Sequence, residues 1–456
     1  MKMRWIIYLT LSLCAAAVWR DEGEAQHRFT LDDAIRAAVR SNHDLAAARF
    51  EVGRADARLR EAWGYAMPSI DLTGQYTRAI KKPVFFFPNI FDTTASKRGQ
   101  VMAIEIGSTN SFIMSMTVSQ VLFNAAVITG VGTAKIYSQA AREVYRAKEV
   151  ETITAVRKAF YAVLLAAEVR AMLYSNLRNA EENVKNASIL AAQGLISEYD
   201  KLRAEVGLAN IRPEVIRAEG NYDLALNTLK ATIGVPYSDT IEVVGSLEFA
   251  PVVERTLPEA TTAVIEANPS LAALRHQVEV NEAIATVERS NYLPSLAAFG
   301  NYQFQAQKND LRISTRDFIN SAQVGLALSL NVFNGFRTAA RVEQAELDVR
   351  KTEEQIALTE NALKTAVQST LTSLRRARER VEAQERTVEQ AEKGYRIATT
   401  RFKTGSGTQL EVNDAQLALT TAKTNRIQAI YDYLVASADL DQLFGNRPPY
   451  LTSEIE

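Results

Sequence analysis

Cysteine is almost missing from these 456 residues: the single one, Cys14, lies in an apolar leader, so no internal disulfide can form. Downstream of Cys14 there is no thiol at all, which excludes a thiol nucleophile and suits an oxidising compartment. With 11 prolines and 20 glycines, the chain has few turn-makers for its length, so long uninterrupted elements are favoured over many short units. No stretch beyond the leader supplies the roughly 18 consecutive apolar residues of a transmembrane helix, so a membrane could be crossed only by strands. Charge excess is also lacking: 52 basic and 53 acidic residues give no electrostatic basis for binding nucleic acid. His27, His43 and His276 are far apart and match no metal spacing, and no Gly-rich phosphate loop follows a strand. Neither an enzyme nor a cofactor or metal site is expected, and Glu181-Glu182 and Glu353-Glu354 read as solvated helix faces.

What is present begins with a secretory leader. Lys2 and Arg4 form its positive end, Trp5 to Val18 its apolar stretch and Ala15-Ala16-Ala17 a small-residue cleavage site, which makes 1–25 a signal peptide. A lipid on Cys14 is the lesser reading, because Leu13 stands where such sites carry a small residue.

The chain then repeats itself. Leu31-Asp32-Asp33-Ala34 leading to Asn42 resembles Leu257-Pro258-Glu259-Ala260 leading to Asn268, and Met67-Pro68-Ser69-Ile70 resembles Leu293-Pro294-Ser295-Leu296. Val121-Leu122-Phe123-Asn124 matches Asn331-Val332-Phe333-Asn334, and Gly194 stands before Ala204 as Gly405 stands before Ala415. The offset is 226 at the prolines (294 minus 68) and 210 at the Phe-Asn pairs (333 minus 123), so the first half carries a loop insertion between these landmarks. The expected organisation is a first repeat over 26–234, a linker over 235–256, a second repeat over 257–445 and a tail over 446–456.

Each repeat should hold two strands. Ile70, Leu72, Gly74 and Tyr76 alternate with Ser69, Asp71, Thr73 and Gln75, and Val324, Leu326, Leu328 and Leu330 alternate with Gln323, Gly325, Ala327 and Ser329. Strands are expected at about 69–78, 113–123, 295–305 and 321–333, each long enough to cross a bilayer when tilted. Alternation alone does not separate lipid-facing strands from half-buried strands of a soluble sandwich. Four strands cannot close a barrel, and an open edge in hydrocarbon leaves backbone groups unpaired, so a membrane reading requires several copies. The intervening loops, from Ala79 to Phe112 and Ala306 to Asn320, are long, and the first carries Phe85-Phe86-Phe87 and Phe91, an aromatic girdle or packed loop more readily than a ligand surface.

Proline-free stretches from Asn124 to about Leu190 and Asn334 to about Phe402 read as single helices of about 100 Å at 1.5 Å per residue. Val342, Ala345, Val349, Thr352, Ile356, Thr359, Leu363 and Ala366 follow a 3-4 spacing that resumes at Val381, Gln384, Val388, Ala391, Tyr395 and Ala398, a coiled-coil seam. Return helices from Leu195 to Ile233 and Gln409 to Phe444 complete helical hairpins over 124–233 and 334–444, with a kink or restart expected at Pro213. Shorter helices, Leu45 to Trp63 and Leu271 to Tyr292, could stack on the return helices end to end.

Leader, Pro-led strand, helix opened by Phe-Asn and Gly-containing turn, all given twice, resemble the TolC-like outer membrane efflux proteins across nearly the whole chain. The most specific stretch is Arg401-Phe402-Lys403-Thr404-Gly405 followed by Leu410-Glu411-Val412-Asn413-Asp414-Ala415, with Leu190 to Leu195, Asp200 and Ala204 as its fainter twin. The resemblance implies an α+β membrane protein of the Gram-negative outer membrane: a homotrimer whose four strands per chain make a 12-stranded barrel, and whose long antiparallel coiled-coil helices make a periplasmic α-barrel tunnel. It implies a passive efflux or type I secretion channel, partnered by a periplasmic adaptor (membrane fusion) protein, an inner-membrane pump of RND or ABC type and outer-membrane lipid. The expected sites are Pro68 and Pro294 at the helix–strand junctions, Gly194, Gly405 and Gly407 at the helical turns, and Asp200, Glu411 and Asp414 ringing a tapered entrance. In three copies those acids would form a cation-selective constriction that could hold a divalent cation. Ser197 with Asp200 and Thr408 with Glu411 also have helix-cap spacing, which leaves Asp414 as the acid without a local role. An exported coiled-coil scaffold or adhesin without a channel is the competing reading.

Overall fold

A computed structural model describes residues 27–88, 101–251 and 255–452. The leader with Cys14, Phe91 and part of the expected linker lie outside them. The chain runs β1 (His27–Phe29), α1 (Leu31–Ser41), α2 (His43–Gly64), β2 (Ser69–Arg78), β3 (Val84–Pro88), β4 (Val101–Glu105), β5 (Asn110–Asn124), α3 (Ala125–Ala192) and α4 (Glu198–Ile233). It continues with β6 (Ile241–Val243), α5 (Leu257–Ala267), α6 (Pro269–Ser290), β7 (Ser295–Lys308), β8 (Ile319–Ser329), α7 (Arg337–Lys403), α8 (Gln409–Leu443) and a last turn α9 (Pro449–Thr452). Among the described residues no helix is long and apolar enough to cross a membrane. The described residues form two compact units, one from those within 51–142 and 273–356 and the other from the rest.

The first unit holds a four-stranded antiparallel sheet in the order β2-β5-β7-β8. Register puts like with like on each face. Ile70, Val118, Gly300 and Val324 form one rung and Leu72, Met116, Tyr302 and Ala322 the next on one face, whereas Asp71, Thr117, Asn301 and Gln323 share a rung on the other. Asn301 Nδ2 donates to Ser115 Oγ at 3.1 Å and Thr117 Oγ1 at 3.2 Å, so the polar face is knit by its own side chains. A bulge at Leu122 returns Phe123 to the apolar face opposite Leu296. Phe299 is an apolar residue on the polar face: its ring covers Gly325, where an added Cβ would come within 2.8 Å of it. Beside the sheet, α2 and α3 run antiparallel, with Ser138 Oγ donating to Asp56 at 2.6 Å. In the same way Arg289 of α6 meets Glu346 of α7 at 2.6 Å.

The other unit is held by helix packing. Capping boxes start α1 and α5: Thr30 and Asp33 exchange hydrogen bonds at 3.3 Å, and Glu259 accepts from the Thr256 N–H at 3.1 Å. Ala34, Ile35 and Ala38 of α1 pack with Ile153, Phe160, Leu229 and Leu451 into the largest core, which the parallel pair β1–β6 edges. Arg170 of α3 stacks 3.8 Å over Tyr222 of α4, and Lys423 of α8 pairs with Glu392 of α7 at 2.9 Å, so each long helix runs beside its return helix. Every seam position named on α7 is buried or half-buried, as a coiled-coil interface requires.

The structure corrects several expectations. The loop after β2 contains the hairpin β3–β4, because Val84 to Phe87 and Val101 to Ile104 are β-formers that pair with each other. Strand β8 ends at Ser329, well short of 333: residues 330–336 are irregular, with Gly335 at φ 67° and Phe336 at φ 61°. The helix after the second Phe-Asn therefore opens at Arg337, whereas β5 runs through Asn124 straight into α3. Strands β5 and β7 are longer than expected, reaching back to Asn110 and on to Lys308. Pro213 neither ends nor restarts α4, which continues through it to Ile233; the lost N–H removes one helical bond out of a long helix.

Candidate functional site

Pro68 and Pro294 each stand one residue before a strand, after a helix that has ended in a short turn. A proline there cannot carry the helix on, and its missing N–H is tolerated where a strand starts. The edge strands of the sheet carry an apolar surface open to the surroundings: on β8, Val324 is 89% and Leu328 74% exposed, and β2 is exposed along its whole length. Among the described residues of the chain, strands β2 and β8 have no partner on their outer sides.

The helical turns are built alike. After α3, the Gly194 N–H donates to Ala191 and the Leu195 N–H to Leu190; after α7, Gly405 donates to Phe402 and Ser406 to Arg401, all at 2.9 to 3.0 Å. These are Schellman turns, and they need a left-handed residue: φ is 73° at Gly194 and 74° at Gly405. Three residues after each glycine stands the cap of the next helix, Ser197 accepting from the Asp200 N–H at 3.1 Å and Thr408 from the Glu411 N–H at 3.3 Å. Asp200 and Glu411 are therefore equivalent positions, both in the first turn of a return helix. Asp200 also accepts from the Ser197 hydroxyl at 2.6 Å, and Glu411 lies 3.4 Å from Arg401.

Gly407 has a reason of its own: a Cβ there would meet Arg401 Cβ at 2.9 Å and the Phe402 nitrogen at 3.1 Å. Arg401 thus folds back over the turn, donating to the Ser406 carbonyl at 3.0 Å. Its part was not visible in the sequence, because no motif marks a cation that pins its own turn. Asp414 lies one further helical turn along α8, exposed, beyond the cap. Among the described residues of one chain, Asp200, Glu411 and Asp414 do not cluster as metal ligands would.

The two turns share one core. Leu190 and Ile196 of the first pack against Phe402 and Val412 of the second, and a cleft of about 530 Å³ opens between Asp200 on one side and Gly405, Gly407 and Thr408 on the other. Farther along, Gln416 Nε2 donates to Asn176 at 2.8 Å and Asn176 to Thr420 at 2.9 Å, tying α8 to α3. The hairpins are thus joined side by side through an apolar core at the turns and polar contacts farther along.

A family model described as outer membrane efflux protein matches residues 34–235 and 262–446. The cobalt-zinc-cadmium resistance protein CzcC of Cupriavidus metallidurans is 25% identical over 431 residues, 92% of this chain and 91% of that protein. The alkaline protease secretion protein AprF of Pseudomonas aeruginosa is 24% identical over 344 residues, 73% of this chain and 69% of its own length. Among solved structures, the Campylobacter jejuni CmeC outer membrane channel has the same fold, with a TM-score of 0.73 at 19% identity over 91% of this chain and 85% of that one.

Proposed function

The chain belongs to the outer membrane efflux protein family, and on that footing we propose that three copies close one barrel and one tunnel. It is an outer-membrane channel for efflux or secretion. The observation that carries the proposal is the sheet with a continuous apolar face and two open edges, β2 and β8. Hydrocarbon tolerates no unpaired strand edge, so β8 of one copy takes β2 of the next. Three copies give a barrel of twelve strands, wide enough for water, with the Asp71–Thr117–Asn301–Gln323 face lining it.

The helical hairpins then line a periplasmic passage, and the twin turns form its entrance. Asp414, with Asp200 and Glu411 nearby, ring that entrance and favour cations. The matched turns also present the cleft between them to a periplasmic adaptor, through which an inner-membrane pump of RND or ABC type delivers cargo. The relatives named for metal resistance and for protease secretion support both kinds of cargo equally, so the pump, not this wide lumen, does the choosing. A scaffold without a channel leaves the apolar face uncovered. Detergent extraction of outer membranes, followed by electrophoresis with and without heating, should yield a heat-sensitive trimer that conducts in planar bilayers. A soluble monomer in the periplasmic fraction would sink the proposal.

A further inference from the structure

At its loop end the apolar face of the sheet changes character in two steps. First come aromatic side chains: Tyr76 lies opposite Phe112 with ring centroids 4.6 Å apart, and Tyr302 and Phe304 meet edge to face at 4.9 Å. The next rung on the same face holds Arg78, Asn110 and Lys308. Two of these are engaged. Asn110 accepts from the Tyr76 hydroxyl at 2.8 Å and donates to the Asp310 carbonyl at 3.1 Å, and Lys308 pairs with Asp317 at 2.7 Å. Arg78 points out exposed at the free edge of β2, Lys81 is exposed just beyond it, and Ile80 between them is fully exposed. Lys82 turns aside to Asn309 at 2.8 Å. Over residues 78–88, 101–110 and 306–319 there are six cations (Arg78, Lys81, Lys82, Lys308, Arg312, Arg316) against three carboxylates (Glu105, Asp310, Asp317).

We propose that Arg78 and Lys81 hold a phosphate of the phosphorylated lipid of the outer leaflet at the free edge of β2. The inference rests on the channel reading above, which makes that edge the seam between two copies. An aromatic band marks the boundary of the hydrocarbon, so a cation one rung beyond it stands at headgroup depth. A guanidinium matches two phosphate oxygens at once, Lys81 adds a second positive charge, and Ile80 offers an apolar contact to the chain below. A lipid so held would clamp neighbouring copies from outside.

The test uses the purified full-length trimer in detergent, with its dissociation temperature measured on adding bisphosphorylated lipid A or the same lipid with its phosphates removed. The phosphorylated lipid should raise that temperature and the dephosphorylated one should not. In Arg78→Gln and Lys81→Gln the lipid concentration for half the effect should rise about fivefold per cation removed, and Arg78→Lys should keep most of the response. Equal stabilisation by both lipids, or an unchanged response in the double variant, overturns the proposal. So does a variant trimer already weakened without lipid, because Arg78 would then be pairing with a carboxylate of the next copy. Failure of the wild-type chain to appear as an outer-membrane trimer at all takes down the channel reading instead.

Discussion

Asn268 donates its side-chain amide to the Leu443 carbonyl at 3.0 Å, and Asn42, 226 residues earlier (268 minus 42), does the same to Thr232 at 2.8 Å. Each also accepts from the N–H three residues on, Leu271 at 3.1 Å and Leu45 at 2.9 Å. One residue thus ends a short helix, starts the next and fastens the end of the return helix onto that junction. The helix ends that the sequence reading set end to end do meet, at this asparagine.

Replacing either asparagine by Ala removes a helix cap and leaves a half-buried carbonyl unpaired. Each of Asn42→Ala and Asn268→Ala should lower stability by about 2 kcal/mol, and the two together should add. Thermal unfolding in detergent measures it; a loss below a few tenths would show the clamp to be ornamental.

Gly234 and Gly194 both have left-handed backbones, φ 83° and 73°, yet differ in their surroundings. A Cβ on Gly234 would sit 2.3 Å from the Ser41 carbonyl oxygen, whereas nothing lies within 4 Å of one on Gly194. Gly194→Ala should cost about 1 kcal/mol from backbone strain alone. Gly234→Ala should cost clearly more, because the obstacle is backbone and cannot rotate away. Equal losses would refute the close approach.

The two faces of β8 should answer oppositely to charge. Val324→Arg puts a guanidinium into hydrocarbon and should cost about 2–4 kcal/mol, reducing outer-membrane trimer. Gln323→Arg, one residue away on the polar face, should assemble normally and shift selectivity toward anions. Comparable assembly defects in both would mean that neither face meets lipid.

Asp414→Ala should raise the conductance of the closed channel in planar bilayers severalfold and weaken its preference for cations. Glu411→Gln should act differently, loosening the second turn through its lost ion pair with Arg401 and showing as faster proteolysis near Gly405. Unchanged conductance and selectivity in Asp414→Ala would remove this acid from the entrance.

Tyr450 donates to Asp32 at 2.8 Å under the guanidinium of Arg36, and burial, reinforced by that hydrogen bond, pushes its phenol well above the ordinary range. A raised folded value means stability present below the unfolded value of about 10 and lost as pH climbs past it toward the folded one. The chain end should therefore detach in strong alkali, and Tyr450→Phe should flatten that part of the stability–pH curve. An unaltered alkaline slope would assign the loss to another group.

Much of this architecture was legible because it is periodic. Alternation at Ile70–Tyr76 and Val324–Leu328 placed two strands and their faces, and the seam from Val342 to Ala398 placed a helix interface. What escaped was local. The hairpin β3–β4 lacks alternation, since Phe85, Phe86 and Phe87 are consecutive. The second Phe-Asn looked like the first, but Gly335 and Phe336 follow it where Ala125 and Ala126 follow the other, and only the latter extend a helix at once. Asn42 and Asn268 were visible as repeat landmarks, though their grip on Thr232 and Leu443 depends on contacts some 175 to 190 residues away. Phe299 broke the polar alternation for a reason that lies on the neighbouring strand.

The unequal junctions have a mechanical meaning. A torque on α3 passes into β5 with no intervening loop, the strand's bulge at Leu122 being the one irregularity near the junction. A torque on α7 must first cross residues 330–336, where two successive left-handed residues form an elbow. Twisting of the second hairpin has backbone there to absorb it, while the first meets its strand directly, so the duplicated halves are coupled to the sheet unequally, one as a strut and one through a hinge.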